Sequence, residues 1–296
     1  KNEMILSIML IIGLIIVGIM GLLFFGMTRM YRNIQTPHKN TPQKYGITFE
    51  EVHIPTKNNK QLYGWWIPCQ TMPVENAPTV ILVHGWNRNV ERVMVYIRNL
   101  NKAGYNILAF DSRNHGSSDN DKYSSMVKFA EDIRSVVDFL QKRGKTDISR
   151  IGVIGLSIGG SAAIYEASID DRVNAVMTVG SFAHPRDLML HEFRKHHIPY
   201  FPLAWFFFFY LQWKIGLTMN EIAPENTIAN SQANFLLIHG EDDDVCPSNH
   251  GKRLLDAGNR DKISLWTISD KGHSDCHHHP DFWSRVDSFL RSALDN

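Results

Sequence analysis

The sequence predicts an α/β architecture, a mostly parallel eight-stranded sheet flanked by helices. Two patterns predict it. Short, nearly continuous apolar runs recur at 79–83, 105–110, 150–154, 173–179, 234–238 and 263–268. Runs of this kind suit strands covered on both faces by helices. Between them, 90–102, 124–143, 158–168, 249–255 and 281–290 carry amphipathic patterns. In 124–143, Val127, Ala130, Ile133, Val137 and Leu140 fall on one face of a helix. Alternation of the two patterns is the mark of a doubly wound sheet. The runs 47–54 and 61–67 flank the turn Lys57-Asn58-Asn59-Lys60 and predict an antiparallel pair that opens the sheet.

One segment breaks the alternation. Residues 181–231 separate two strands by more chain than a single crossover needs, and are expected to form a helical cap inserted into the fold. The cap contains the run Trp205-Phe206-Phe207-Phe208-Phe209-Tyr210. This run is too short to span a bilayer. Trp205, Phe206 and Phe209 are candidates to line an acyl-chain pocket, with contact to a membrane surface as a second use and plain packing on the core as a third.

At the N-terminus, residues 4–25 carry no charge. About 20 apolar residues suffice to cross a bilayer as a helix. The run is longer than the apolar part of a signal peptide, and the Phe24–Arg29 stretch is a poor cleavage site. The expected organisation is a transmembrane anchor at 1–28, a linker at 29–45 marked by Pro37 and Pro42, and a globular domain at 46–296. Arg29, Arg32, Lys39 and Lys44 follow the span and Lys1 precedes it, which directs the domain to the cytoplasm by the positive-inside tendency. The lipid bilayer is therefore one expected partner.

Composition narrows the functions. A formal net charge of +1 with no long basic run argues against nucleic acid as a partner. Cys69, Cys246 and Cys276 are too few and too scattered for a disulfide framework and are read as free thiols.

The strongest chemical signal is Gly155-Leu156-Ser157-Ile158-Gly159, directly after a predicted strand and before a predicted helix. A strand-to-helix turn this tight requires residues without bulk on either side of the serine, and it lifts the hydroxyl above the sheet edge. Ser157 is the candidate nucleophile, with Gly155 and Gly159 forming the elbow. The helix start offers backbone N–H groups to an oxyanion. Ile158 is expected to donate one of them, and Trp86, in the His84-Gly85-Trp86 loop after the 79–83 strand, the other. His84 itself is read as structural. The loop His239-Gly240-Glu241-Asp242-Asp243-Asp244-Val245-Cys246-Pro247 offers three adjacent carboxylates, and Lys271-Gly272-His273-Ser274 offers a histidine after the last strand. That histidine can take the serine proton. Cys276-His277-His278-His279 lacks the spacing of a zinc site and precedes Pro280 at a helix start, so it is read as a capping loop with no metal.

Taken together, these motifs resemble the α/β-hydrolase superfamily over residues 46–296, as does the loop Asp111-Ser112-Arg113-Asn114-His115-Gly116-Ser117-Ser118. In that loop Asn114 stands where the family usually has Gly. More narrowly, the chain is similar to bacterial members with an N-terminal membrane helix. The resemblance implies an α/β-hydrolase fold and a triad in the chain order serine, acid, histidine. It implies Asp243 as the acid, three residues after the Gly of His-Gly, with Ser157 and His273 as its partners. Asp242, Asp244 and Asp187 remain alternatives. The implied activity is hydrolysis of a carboxylic ester or related acyl bond of a small molecule, with amphiphilic or lipid-like compounds as the expected substrates, without a cofactor. An acyltransferase or serine peptidase would use the same triad. A membrane-tethered binding protein would use the fold without chemistry. Halide-releasing chemistry would call for Asp at the elbow.

Overall fold

The computed structural model describes residues 2–30 and 32–295. Eight strands form one sheet: β1 (Glu50–Thr56), β2 (Lys60–Ile67), β3 (Thr79–Val83), β4 (Asn106–Phe110), β5 (Ile151–Leu156), β6 (Val173–Val179), β7 (Asn234–Gly240) and β8 (Ile263–Ile268). Their order is β1-β2-β4-β3-β5-β6-β7-β8. β1 and β2 pair antiparallel, as does β2 with β4, and every pairing from β4 through β3 to β8 is parallel. This is the mostly parallel eight-stranded sheet with the antiparallel opening that the sequence predicts.

Nine α-helices lie among the described residues. They are α1 (Asn2–Met30), α2 (Met94–Ala103), α3 (Met126–Arg143), α4 (Ile158–Ala167), α5 (Pro185–Lys195), α6 (Trp205–Ile215), α7 (Pro224–Thr227), α8 (Asn249–Ala257) and α9 (Phe282–Leu294). Their ends follow local chemistry. Ser125 caps α3 by accepting the Lys128 N–H, and Gly144 ends it at φ 65°. The stretch expected as one helix at 90–102 begins instead with a 3₁₀ turn at Val90–Val93. Asn89 accepts the Glu91 N–H and Asp111 Oδ1 accepts the Val90 N–H at 2.6 Å, so polar side chains draw these donors into a tighter first turn.

The chain divides into two compact units, Lys1–Arg32 with Met189–Leu217, and Asn33–Leu188 with Thr218–Asn296. The larger unit holds the sheet. Its core includes Val80, Leu82, Ile107, Ala109, Ile154, Met177 and Ile238, with Phe282, Val286 and Leu290 of α9. The Val, Leu, Ile, Met and Phe side chains among them contribute about 1.5–3 kcal/mol each when fully buried. Residues 33–40 also belong to this unit and are bonded to it. Ile34 N–H donates to Asn87 Oδ1, Asn89 Nδ2 to the Thr36 carbonyl, and Lys39 N–H to Glu91 Oε2.

The smaller unit contains α1, the C-terminal part of α5, and α6. Phe193, Ala204, Phe207 and Phe208 form its buried cluster, with Phe24, Leu190 and Leu211 packed against them. α1 includes a stretch, Asn2–Gly26, that is long and apolar enough to cross a membrane.

Candidate active site

The elbow forms where β5 hands over to α4. Ser157 occupies the junction at φ 54° and ψ −123°, a conformation that costs on the order of 1–3 kcal/mol and persists only where surrounding bonds over-determine it. Those bonds are present. The Ser157 N–H donates to the Val179 carbonyl at 2.8 Å, and the Ser157 carbonyl accepts from Gly160 and Ser161. A side-chain carbon on Gly155 would come 2.4 Å from the Gly160 nitrogen, and one on Gly159 would come 2.5 Å from the His84 carbonyl. Both glycines are therefore steric requirements of the turn.

Two loops frame the elbow. A side-chain carbon on Gly85 would lie 3.5 Å from both the Leu156 carbonyl and Ser157 Cβ, so the loop after β3 runs close beside the serine. Half-buried Trp86 continues that loop, its indole edge-on to His115 at 5.6 Å, and Ile158 opens α4 on the other side. His84 is fully buried, accepts the Ser112 N–H through Nε2 (3.1 Å) and donates Nδ1–H to the Gly85 carbonyl (2.7 Å). Burial, aided by nearby His115, pushes its imidazole down to about 3 and keeps it neutral.

The third and fourth loops carry the carboxylate and the second imidazole. Of the three aspartates, only Asp243 is buried, whereas Asp242 and Asp244 are exposed. Asp243 Oδ1 accepts the N–H groups of Val245 (3.0 Å) and Cys246 (2.8 Å), and Oδ2 accepts the His273 Nδ1–H at 2.7 Å. With its Nδ1 proton held there, a neutral His273 leaves Nε2 as the basic nitrogen. His239 Nε2 lies 3.5 Å from the same Oδ2 and donates to the Cys246 carbonyl at 2.7 Å, which fixes the loop from behind. Burial lowers the His239 pKa. Asp187 pairs instead with Arg253 at 2.8 Å.

Gly180 ties the two halves of the site together. It follows Val179, whose carbonyl holds the Ser157 N–H, and adopts φ +65°. A side-chain carbon there would meet His273 Nδ1 at 2.9 Å and Asp243 Oδ2 at 3.2 Å. The serine backbone and the Asp243–His273 pair thus border the same turn. The sequence reading missed this residue. Its only signal was a glycine directly after a strand.

The 111–118 loop supports the site from within the unit. Buried Asp111 accepts Val90 N–H through Oδ1 and Ser117 N–H through Oδ2 (2.8 Å), while burial raises its carboxyl to about 6. Asn114 sits at φ 65°, a left-handed position that Asn tolerates better than most residues, so the departure from glycine keeps the turn. Buried Arg113 is held by Asp132 (2.6 Å), Glu131 (2.6 Å) and Asp121 (3.3 Å). Asn33 Nδ2 donates to His115 Nε2, bonding the 33–40 strap to this loop. Nothing in the sequence pointed to that bond.

The remaining candidates lie within their own elements. Trp205, Phe206 and Phe209 are exposed on α6, whereas Phe207 and Phe208 are buried. Cys276–His278 forms a 3₁₀ turn before α9, with Cys276 buried. Among the described residues, no group of three or more His, Cys, Asp or Glu is arranged to hold a metal ion.

Comparison with known proteins bears on the fold that carries this site. Residues 78–206 match the family described as the alpha/beta hydrolase fold. The uncharacterized protein YfhR of Escherichia coli K12 is 28% identical over 253 residues, covering 83% of this chain and 81% of that protein. The alpha/beta hydrolase domain-containing protein WAV2 of Arabidopsis thaliana is 23% identical over 182 residues, 60% of this chain and 58% of that one. Among solved structures, the Pyrococcus furiosus esterase Pf2001 superposes with a TM-score of 0.69 at 23% identity, covering 89% of this chain and 98% of the esterase. With its strand order, its elbow after β5 and these likenesses, the chain has the α/β-hydrolase fold.

Proposed function

We propose that the protein is a serine hydrolase that cleaves a carboxylic ester or related acyl bond through an acyl-enzyme. One observation carries the chemistry. Asp243 accepts the Nδ1–H of His273 at 2.7 Å beside the turn whose Val179 carbonyl holds the Ser157 N–H. In this reading, Ser157 Oγ bonds to the acyl carbon while its proton passes to His273 Nε2. The carbonyl oxygen becomes an oxyanion that accepts N–H groups from Ile158 and Trp86. Asp243 holds the tautomer and stabilises the imidazolium. Collapse expels the leaving group, which takes the proton from Nε2. Water then repeats the sequence and releases the acid. His273 carries every proton, so the cycle calls for no metal or organic cofactor.

α1 supports a second part of the proposal, that the enzyme is anchored in a membrane. Arg29, Arg32, Lys39 and Lys44 follow the apolar stretch and favour a cytoplasmic catalytic unit. An anchored enzyme meets amphiphilic acyl compounds at the surface that concentrates them, so medium or long acyl chains are the favoured substrates. The test is turnover of a p-nitrophenyl ester series from acetyl to lauroyl by the full chain and by Ser157→Ala. Ser157→Ala is expected to lower turnover by a factor on the order of 10⁴ or more. Wild-type turnover in that variant would refute the nucleophile. A preference for acetyl over every longer chain would refute the substrate class.

A further inference from the structure

α6 and the turn before it present an aromatic face that the smaller unit leaves uncovered. Phe201 is 72% exposed, Trp205 50%, Phe209 59% and Trp213 75%, with Phe206 also exposed. Phe207 and Phe208 point the other way, into the cluster with Phe193. α6 is thus apolar on both faces, one packed in the cluster and the other largely exposed apart from the contact that Phe206 makes with Phe24. A contiguous aromatic patch of this kind marks an interaction surface.

The occupant follows from the neighbouring helix. Phe24 of α1 packs edge-on against Phe206 at 5.1 Å and against Tyr210 at 5.2 Å. Phe24 lies two residues before Gly26, the end of the apolar stretch. At about 1.5 Å per residue, it sits only about 3 Å from that end. If α1 crosses a bilayer, α6 lies beside it where hydrocarbon gives way to headgroups. The eleven residues of α6 are too few to cross. Aromatic residues, Trp and Tyr above all, favour this boundary. Arg29, Arg194, Lys195 and Lys214 belong to the same unit, against the acidic residues Glu3 and Glu192, a balance suited to anionic headgroups.

We propose that Phe201, Trp205, Phe206, Phe209 and Trp213 dock into the interfacial layer of the bilayer that α1 spans, so that the protein holds the membrane by a helix across it and a second helix lying on it. The proposal rests on the membrane span and is independent of the triad. It gives the aromatic run a lipid partner instead of a place in an acyl pocket.

Tryptophan quenching tests it, because residues 1–30 contain no tryptophan. The full chain is reconstituted into vesicles of phosphatidylcholine and phosphatidylglycerol, with lipids brominated either near the carbonyl or deep in the chain. Shallow bromines are expected to quench more strongly than deep ones. The Trp205→Phe/Trp213→Phe double variant, checked for an unchanged thermal melt, is expected to lose more than half of the quenching. A Trp213→Phe single variant, expected to lose part of it, serves if the double variant does not fold. Equal quenching in wild type and variants, no quenching, or stronger quenching by deep bromines would each overturn the proposal. Flotation of the same samples separates the causes. A chain that does not float with vesicles refutes the span and the docking together. One that floats without quenching refutes the docking alone.

Discussion

His84 and His273 both follow strands of the parallel half of the sheet, and both adjoin a glycine, yet their surroundings differ in every respect that matters to chemistry. His84 is sealed in the core, with one ring nitrogen bonded to Ser112 N–H and the other to the Gly85 carbonyl. His273 retains 18% side-chain exposure and gives one nitrogen to a buried carboxylate. A histidine whose two nitrogens are both occupied by backbone can organise a loop but cannot exchange protons with a substrate. One held by a carboxylate on Nδ1 and still partly exposed keeps its other nitrogen for that exchange. On the proposed mechanism, then, strand-end position does not mark the base, whereas the carboxylate partner on Nδ1 does.

That contrast can be broken most directly at the carboxylate. Asp243→Asn keeps the size of the side chain but removes the charge that holds the tautomer, and should lower kcat by about 10³–10⁴-fold. The same change at Asp242, Asp244 or Asp187 should alter kcat by no more than about twofold, since the first two are exposed and the third is paired with Arg253. A larger loss at any of those three would move the acid. Gly180→Ala should come next. It keeps all three side chains of the proposed triad but pushes a methyl against the Asp243–His273 bond and strains a φ of +65°. Misplacing reacting groups by about 1 Å costs on the order of 10²-fold, and kcat should carry most of that loss. An unchanged kcat would mean that the pair tolerates displacement.

His84→Gln sharpens the comparison from the other side. Glutamine keeps a donor and an acceptor but does not titrate, so kcat near neutral pH should stay within a few fold of wild type. The effect should appear in acid stability. The unfolded His84 takes a proton near 6.5, while the folded one does so only near about 3. As pH falls through that window, the unfolded chain gains a proton that the native state refuses, and folding weakens by up to about 1.4 kcal/mol per pH unit for that one group. Buried carboxyls such as Asp111, raised to about 6, work in the opposite direction, so the informative quantity is the difference between variant and wild type. Denaturant titrations between pH 7 and 4 should show a shallower fall in His84→Gln. Identical slopes would contradict the buried neutral state of His84.

Much of the sheet was legible because continuous Val, Ile and Leu runs admit few other structures at that length. Ser157 was legible because a serine between two obligate glycines at a strand end is a steric signature. What could not be read was anything carried by contacts distant in sequence. Gly180 matters through residues 63 and 93 positions further on, and a lone glycine announces no partner. The bonds from Asn33 and Ile34 to His115 and Asn87 link residues 82 and 53 positions apart and leave no periodicity. The aromatic run hid its own division, since six consecutive aromatic residues look alike until the helix turns two of them inward. The 3₁₀ start at Val90 depended on Asp111, a side chain from the next strand end.

The account depends most on Ser157 being activated by His273. Peptide mapping by mass spectrometry after treating the full chain with a fluorophosphonate measures this directly. The expected result is a single adduct on the peptide containing Ser157, lost in His273→Ala. An adduct on another residue, an adduct on Ser157 that persists without His273, or no adduct on the folded protein would contradict it.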